Sequence, residues 1–117
     1  VLNFWRPLEM DHPIEHMPLA VCDASSIPRE DIVLSSLLGF TRTGKPKRQL
    51  SLKYNSNHRW YYYPEMKNDE VLAMIEFSCF KDDPDHFNGA YHTAFEDPLT
   101  PEGAEQLRST EYRVVVF

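Results

Sequence analysis

The sequence predicts a mainly β domain, an antiparallel sandwich or jelly-roll barrel with one or two short helices. About six or seven short segments rich in β-branched and aromatic residues are separated by turn residues, as is typical of such folds. Several of these segments alternate apolar and polar residues, which is the period of a half-buried strand. The 117 residues suffice for one domain, and 9 prolines against 4 glycines predict stiff connections.

Each element has its own local signal. Ser25, Pro28 and the acids after them are typical of a helix start, so we predict a short helix that ends near residue 39. Residues 41–48 form a basic turn and residues 81–89 an acidic loop, and we expect both to be solvated. Strands are predicted at 1–6, 19–22, 50–54, 59–63, 71–80, 91–95 and 111–117.

Composition and charge exclude several classes of function. The 12 basic and 18 acidic residues give a net charge of −6, which argues against nucleic acid or an anionic membrane surface as the main partner. No apolar run approaches the roughly 18 residues of a membrane span. Cys22 and Cys79 match no metal spacing, so we expect buried free thiols and a cytoplasmic, reducing location.

The two ends of the chain are both apolar and strand-like. Val1 opens directly into a strand pattern, and the chain stops within residues 114–117, Val-Val-Val-Phe. Ends of whole domains are usually polar and loosely held. We therefore expect residues 1–117 to form a single domain that is the C-terminal portion of a larger one.

Two short motifs suggest chemistry. His12-x-x-Glu15-His16 matches an inverted zinc-protease pattern, but Pro13 opposes the helix that this motif requires, so an exposed loop is the better interpretation. In the segment 58–63 (HRWYYY), Trp60 and Tyr62 would share one strand face. That cluster is consistent with ring packing in a sheet or with a pocket for an organic substrate.

The most informative stretch is a histidine on a short strand followed, after a loop, by an arginine on a final strand. His92 and Arg113 stand in this order. In a jelly-roll iron oxygenase, two histidines and one carboxylate hold Fe(II), and a late arginine pairs with the far carboxylate of 2-oxoglutarate. By spacing alone the pattern is weak, since one histidine and one arginine in this order are common.

Six blocks of sequence occur in an order that resembles the fungal AsaB-like hydroxylase/desaturase family, which includes the gibberellin desaturase and the small chain of the cephamycin 7-methoxylase system. The similarity covers essentially the whole chain. The blocks are 3–8 (NFWRPL), 18–24 (PLAVCDA), 58–62 (HRWYY), 69–72 (DEVL), 92–98 (HTAFEDP) and 109–113 (STEYR).

The resemblance implies a jelly-roll core and an Fe(II)- and 2-oxoglutarate-dependent oxidoreductase of secondary metabolism that hydroxylates or desaturates a small organic molecule. His92 would be a metal ligand, and Arg113 and Arg6 would bind the cosubstrate. His58, Trp60 and Tyr62 would line the substrate pocket.

The chain also departs from the family pattern. Family members carry an upstream H-x-D-like segment, the expected source of the other two iron ligands, which is absent here. Ile75 and Ser78 stand where the family pattern has Lys and Asp, and Leu107 stands where it has Arg.

These departures leave other interpretations open. One is a non-catalytic small-molecule-binding or accessory chain, which could form a homodimer or pair with an N-terminal part. A methyltransferase, the label of some relatives, is opposed because the sequence has no Gly-rich strand–turn–helix.

Overall fold

The computed structural model describes residues 1–39 and 41–116, with side chains described except at 79–80 and 83–88. The described chain is mainly antiparallel β-sheet. Its helical structure is two single 3₁₀ turns, Ala24–Ser26 and Arg29–Asp31. The strands are β1 (Leu2–Pro7), β2 (Leu19–Cys22), β3 (Ile32–Leu37), β4 (Lys47–Leu52), β5 (Trp60–Tyr62), β6 (Leu72–Ile75), β7 (Ser78–Phe80), β8 (Asp83–Asn88), β9 (His92–Ala94) and β10 (Ser109–Val114).

The first sheet has the order β10-β1-β6, with β1 at its centre. The two-residue period of β1 buries Asn3 and Trp5 on the inner face and leaves Arg6 exposed on the outer face. In the register, Trp5 lies opposite both Glu111 and Leu72. Glu111 and Arg113, two residues apart on β10, therefore belong to the inner face with Trp5.

The second sheet has the order β5-β2-β9, so β2 carries the aromatic strand on one edge and His92 on the other. Val21 lies opposite Tyr61 on one side and opposite His92 on the other. Leu19 and Val21 of this sheet pack against a buried cluster that holds the two sheets together. Its members are Trp5, Ile14, Met66 and Met74. Burying each such side chain contributes about 1.5–3 kcal/mol.

Two hairpins complete the described chain: β3 pairs with β4 and β7 pairs with β8. The predicted helix over 25–39 is wrong beyond its first turn. The 3₁₀ turn Arg29–Asp31 ends at Ile32, and Ile32–Leu37 then pairs with Lys47–Leu52 as a strand. The reason is that Ile32 and Val33 are β-branched and favour a strand, and β4 gives that strand a partner.

Two other predicted elements are also corrected. The long strand 71–80 is divided into β6 and β7, because the backbone N–H groups of Glu76 and Phe77 both donate to the carbonyl oxygen of Val1. The acidic segment 81–89, expected to be a loop, contains β8, whose backbone pairs with β7.

No helix in the described part of the chain is long and apolar enough to cross a membrane. Cys22 is a buried free thiol, as expected, whereas the side chain of Cys79 lies outside the described residues.

Candidate active site

His92 is held in the orientation that a metal ligand needs. It opens β9, and its Nδ1 lies 2.7 Å from the carbonyl oxygen of Ala90. Because a carbonyl oxygen only accepts hydrogen bonds, Nδ1 is the donor in this contact, and Nε2 is the ring nitrogen left to bind a metal. Histidines that bind metals are oriented in this way, by a hydrogen bond from the second ring nitrogen.

His92 and Arg113 line the same cavity, of about 410 Å³, which we call the His92 cavity. The strands that carry them, β9 and β10, belong to different sheets. The two residues meet because the buried cluster holds the two sheets together. The remaining wall of the cavity is formed by Lys47, Arg48, Gln49, Leu50, Glu76, Phe77, Gly89, Ala90 and Tyr91.

Arg113 is held by two carboxylates. Its Nη2 lies 2.7 Å from Glu111 Oε1 and 3.5 Å from Glu76 Oε1. A guanidinium has five N–H donors, so these contacts leave donors for a further carboxylate. Burial raises the pKa of Glu111, but the hydrogen bond from Asn3 and the charge of Arg113 outweigh burial and lower it overall.

Gly89 allows the backbone to approach closely at the edge of this cavity. A Cβ atom at this position would lie 2.8 Å from the carbonyl oxygen of Glu76. That separation is shorter than van der Waals contact, so any other residue would push apart the segments that carry Glu76 and His92.

His58 lies in a neighbouring cavity of about 610 Å³, the His58 cavity, which His92 and Trp60 also line. Its Nε2 is 3.0 Å from Oδ2 of Asp31, and its side chain is only 2% exposed. Asn55 donates to the same oxygen at 2.7 Å. These contacts fix the His58 imidazole in the wall of the His58 cavity.

Trp60 and Tyr62 line a third, mostly apolar cavity of about 460 Å³, the aromatic cavity, together with Ala20, Thr93 and Phe95. The rings of Tyr62 and Phe95 meet edge to face, with centroids 5.1 Å apart. The Tyr62 hydroxyl donates to Asp97, and the charge of that carboxylate raises the pKa of Tyr62.

The three cavities are adjacent. The first two share His92, and the second and third share Trp60 and Thr93. We call this row of neighbouring cavities the groove. Its two ends lie on opposite faces of the second sheet, since His92 shares a face with Val21, whereas Trp60 and Tyr62 share the other face with Ala20. This groove brings together five of the six residues singled out in the sequence: His92, Arg113, His58, Trp60 and Tyr62.

Arg6 is not brought to this groove. It is exposed on the outer face of the first sheet and lines none of the three cavities. The reason is the strand period, because Asn3 and Trp5 take the inner face and Arg6 must point the other way. We therefore do not retain Arg6 as a cosubstrate residue.

Within the described residues, no group of three or more His, Cys, Asp or Glu side chains is arranged to hold a metal ion. His12 and His16 lie in a loop rather than on a helix, as Pro13 predicts. The described chain thus offers one suitably oriented imidazole, His92, for iron.

Sequence reasoning missed the residues that hold Arg113, namely Asn3, Glu76 and Glu111. A signal for Glu111 was available, because residues two apart on a strand share a face and Glu111 precedes Arg113 by two. Asn3 and Glu76 lie on other strands, and only the register of β1 with β6 and β10 brings them together.

A family model described as "Oxidoreductase/YMDC permease-like domain" matches residues 1–117. The chain belongs to this family. The full-length match agrees with the order of motifs found in the sequence, which runs from β1 to β10.

Several relatives of this chain are named as fungal enzymes. The "Hydroxylase/desaturase asaB" of Aspergillus flavus is 32% identical over 129 residues, which cover 100% of this chain and 54% of the relative. The "Alpha-ketoglutarate-dependent dioxygenase phiK" of a fungal species is 31% identical over 119 residues, 99% of this chain and 40% of the relative. The chain thus spans about half or less of the length of these relatives. The resemblance inferred from the sequence is confirmed.

A solved structure of the "iron and alpha-ketoglutarate-dependent endoperoxidase NvfI" is also similar. It matches with a TM-score of 0.70 and 27% identity, over 94% of this chain and 38% of that one. The prediction of an antiparallel jelly-roll fold is confirmed by this match.

Proposed function

We propose that this chain forms part of an Fe(II)- and 2-oxoglutarate-dependent oxidoreductase that hydroxylates or desaturates a small organic molecule. The observation that carries the proposal is the cavity that His92 and Arg113 line together. Such a reaction needs a metal ligand close to a cation that pairs with the cosubstrate carboxylate.

His92 would supply one ligand to the iron through Nε2, and the other two ligands would come from outside the described residues. The relatives, at about twice the length of this chain or more, have sequence that could contain them. When bound, Fe(II) would supply the oxidising chemistry together with dioxygen and 2-oxoglutarate.

Arg113 would bind the far carboxylate of 2-oxoglutarate. Its side chain is 42% exposed and lines the cavity, so donors of the guanidinium are within reach of a ligand. A planar guanidinium matches a carboxylate in a two-point contact, which fixes the cosubstrate in orientation as well as position.

The organic substrate would lie at the other end of the groove, against Trp60 and Tyr62. The apolar lining of the aromatic cavity favours a molecule with apolar rings or chains. The fixed His58 imidazole would form the polar wall between this substrate and His92.

An anaerobic titration with Fe(II) and 2-oxoglutarate tests the proposal. We expect a charge-transfer absorption band when the chain is joined to the upstream segment that would supply the other two ligands, and loss of that band in His92→Ala. His12→Ala is the matched control, because His12 is exposed and lines none of the three cavities. No band at saturating ligand, or a band unchanged in His92→Ala, would contradict the proposal.

A non-catalytic binding or accessory chain is the second candidate. It is favoured by one observation, that the described residues contain no group of three metal ligands. This candidate predicts that a small apolar molecule binds in the aromatic cavity with equal affinity in the presence and absence of Fe(II). Metal-dependent binding would argue against it.

A homodimer, or pairing with an N-terminal part, stays a prediction. It is supported by the outer face of the first sheet, where Ile75 and Tyr112 are exposed at 52% and 72%. Sedimentation of the chain tests the homodimer, since a monomer mass at high concentration would contradict it.

A further inference from the structure

We infer that Asn3 is the positioning residue for Arg113. The inference rests on one part of the proposed function, the assignment of Arg113 as the residue that binds 2-oxoglutarate. Asn3 lies on β1, the central strand of the first sheet, and is completely buried. Nothing in the sequence pattern or in the comparisons assigns it a role.

The contacts form a closed ring of four side chains. Asn3 Nδ2 lies 3.0 Å from Glu111 Oε2 and 3.4 Å from Glu76 Oε2. Arg113 Nη2 contacts the other oxygen, Oε1, of the same two carboxylates. Each carboxylate therefore bridges Asn3 and Arg113, and the ring extends across β1 and its two neighbouring strands.

The chemistry of an asparagine fits this position. The amide nitrogen has two hydrogens, and it faces two acceptors. An aspartate at position 3 would place a third carboxylate beside Glu76 and Glu111, and a leucine would leave both without this donor. The amide orientation is also fixed, since the opposite orientation would direct the oxygen Oδ1 at the carboxylates.

Packing alone does not fix Arg113, since 42% of its side chain is exposed. Exposed arginines sample several rotamers, and holding one of them has an entropic cost. The buried amide of Asn3 fixes the two carboxylates, and the carboxylates fix the guanidinium. Arg113 thus presents its remaining donors to the cavity in one orientation, which lowers the cost of binding a carboxylate.

The test compares Asn3→Ala with the wild-type chain in two measurements. The first is the ¹⁵N NMR signal of the Arg113 guanidinium, assigned with Arg113→Lys. We expect slow rotation about the guanidinium bonds in the wild type and fast, averaged signals in Asn3→Ala. The second is the affinity for 2-oxoglutarate by calorimetry, which we expect to fall about tenfold, or about 1.4 kcal/mol.

Asn68→Ala is the matched control, because Asn68 also bonds through its amide, to the backbone of Met10, away from Arg113. It should leave both measurements at wild-type values. If Asn3→Ala does not fold, Asn3→Leu keeps approximately the volume of the side chain but loses the two-hydrogen donor, and the same changes are expected.

The inference is overturned if a folded Asn3 variant keeps wild-type guanidinium signals and wild-type affinity. The two proposals fail separately. A wild-type chain that does not bind 2-oxoglutarate contradicts the proposed function, whereas the NMR comparison still decides whether Asn3 positions Arg113.

Discussion

Glu76 and Glu111 contact the same guanidinium of Arg113 but differ in what they face. Glu111 is the closer partner, at 2.7 Å, and lies on the strand of Arg113. Glu76 is 3.5 Å away and also lines the His92 cavity. Its carboxylate also accepts from Asn3, so Glu76 links this cavity wall to the buried centre of the first sheet.

We expect Glu76→Gln to lower the affinity for 2-oxoglutarate by about fivefold, or roughly 1 kcal/mol. The reason is that the amide has one acceptor oxygen, whereas the carboxylate bridges Asn3 and Arg113 through two. Calorimetric titration measures the change, and Glu102→Gln, an exposed carboxylate, serves as control. A higher affinity in Glu76→Gln would show that the negative charge of Glu76 opposes the ligand more than its contacts position Arg113.

Gly89 provides a steric test of the cavity wall. We expect Gly89→Ala to destabilise the chain by about 1–3 kcal/mol, because its Cβ would lie 2.8 Å from the Glu76 carbonyl oxygen. Urea unfolding measures this loss. The comparison is Gly103→Ala, which has open space around it and is strained only by its φ of +78°. Gly103→Ala should leave 2-oxoglutarate binding unchanged. Weaker binding in that variant would contradict the assignment of the 2-oxoglutarate site to the His92 cavity.

The position of a candidate site residue could be predicted from the sequence where the pattern that marks it lies within a single strand. His92, Arg113, Trp60 and Tyr62 are such cases, and all four lie in the groove. Arg6 was placed incorrectly because a motif does not show which face of a strand is buried. Asn3 and Glu76 could not be predicted, since the contacts of Asn3 with Glu76 and Glu111 span 73 and 108 residues of the chain.

At the scale of elements, two consecutive residues attach the start of the aromatic strand to the 3₁₀ turns. His58 bonds to Asp31, while Arg59 bonds to Asp23 at 2.8 Å. Asp23 also caps the turn Ala24–Ser26 by accepting from the backbone N–H of Ser25. These two contacts fix the position from which β5 directs Trp60 into the groove.

We expect Asp31→Ala to lower the free energy of unfolding by about 2 kcal/mol. It removes the acceptor shared by His58 and Asn55, and the buried His58 imidazole then lacks a partner. Glu30→Ala, at the exposed neighbouring position, should have little effect. Equal losses in the two variants would show that the His58 contact contributes nothing specific.

The Asp23–Arg59 pair predicts a dependence of stability on pH. Arg59 and the Ser25 contacts lower the pKa of Asp23 from 3.8 to about 2. A lowered carboxyl pKa stabilises the folded state above pH 3.8, and that contribution is lost as the pH falls from 3.8 towards 2. Wild type should therefore exceed Asp23→Asn in urea midpoint at pH 6, with the difference closing near pH 2. A constant difference would contradict the pairing.

The incorrectly predicted helix over 25–39 shows where local sequence signals no longer determine the secondary structure. The Ser25–Asp31 segment does begin with helical turns. Its continuation as β3 depends on pairing with β4, a contact that residues 32–37 alone do not specify. By contrast, β9 and β10 were placed within three residues of their observed bounds, because alternation and flanking turn residues mark both.

On the scale of the whole molecule, the groove is lined by two packed sheets, so the residues at its two ends come from different parts of the sequence. Arg113 comes from the first sheet, while His92 and the aromatic rings come from the second. Fold class and family could be predicted from strand spacing and the order of motifs. The groove itself could not, since its shape depends on how the buried cluster packs the sheets.

The most direct test of a shared site is a crystal structure with Mn(II), in place of Fe(II), and 2-oxoglutarate, of the chain joined to the upstream segment that would supply the other two ligands. We expect the metal at Nε2 of His92 and the far carboxylate of 2-oxoglutarate on the guanidinium of Arg113, in one continuous feature of electron density. Metal or 2-oxoglutarate bound away from these two side chains, or no binding in the His92 cavity, would contradict the shared site.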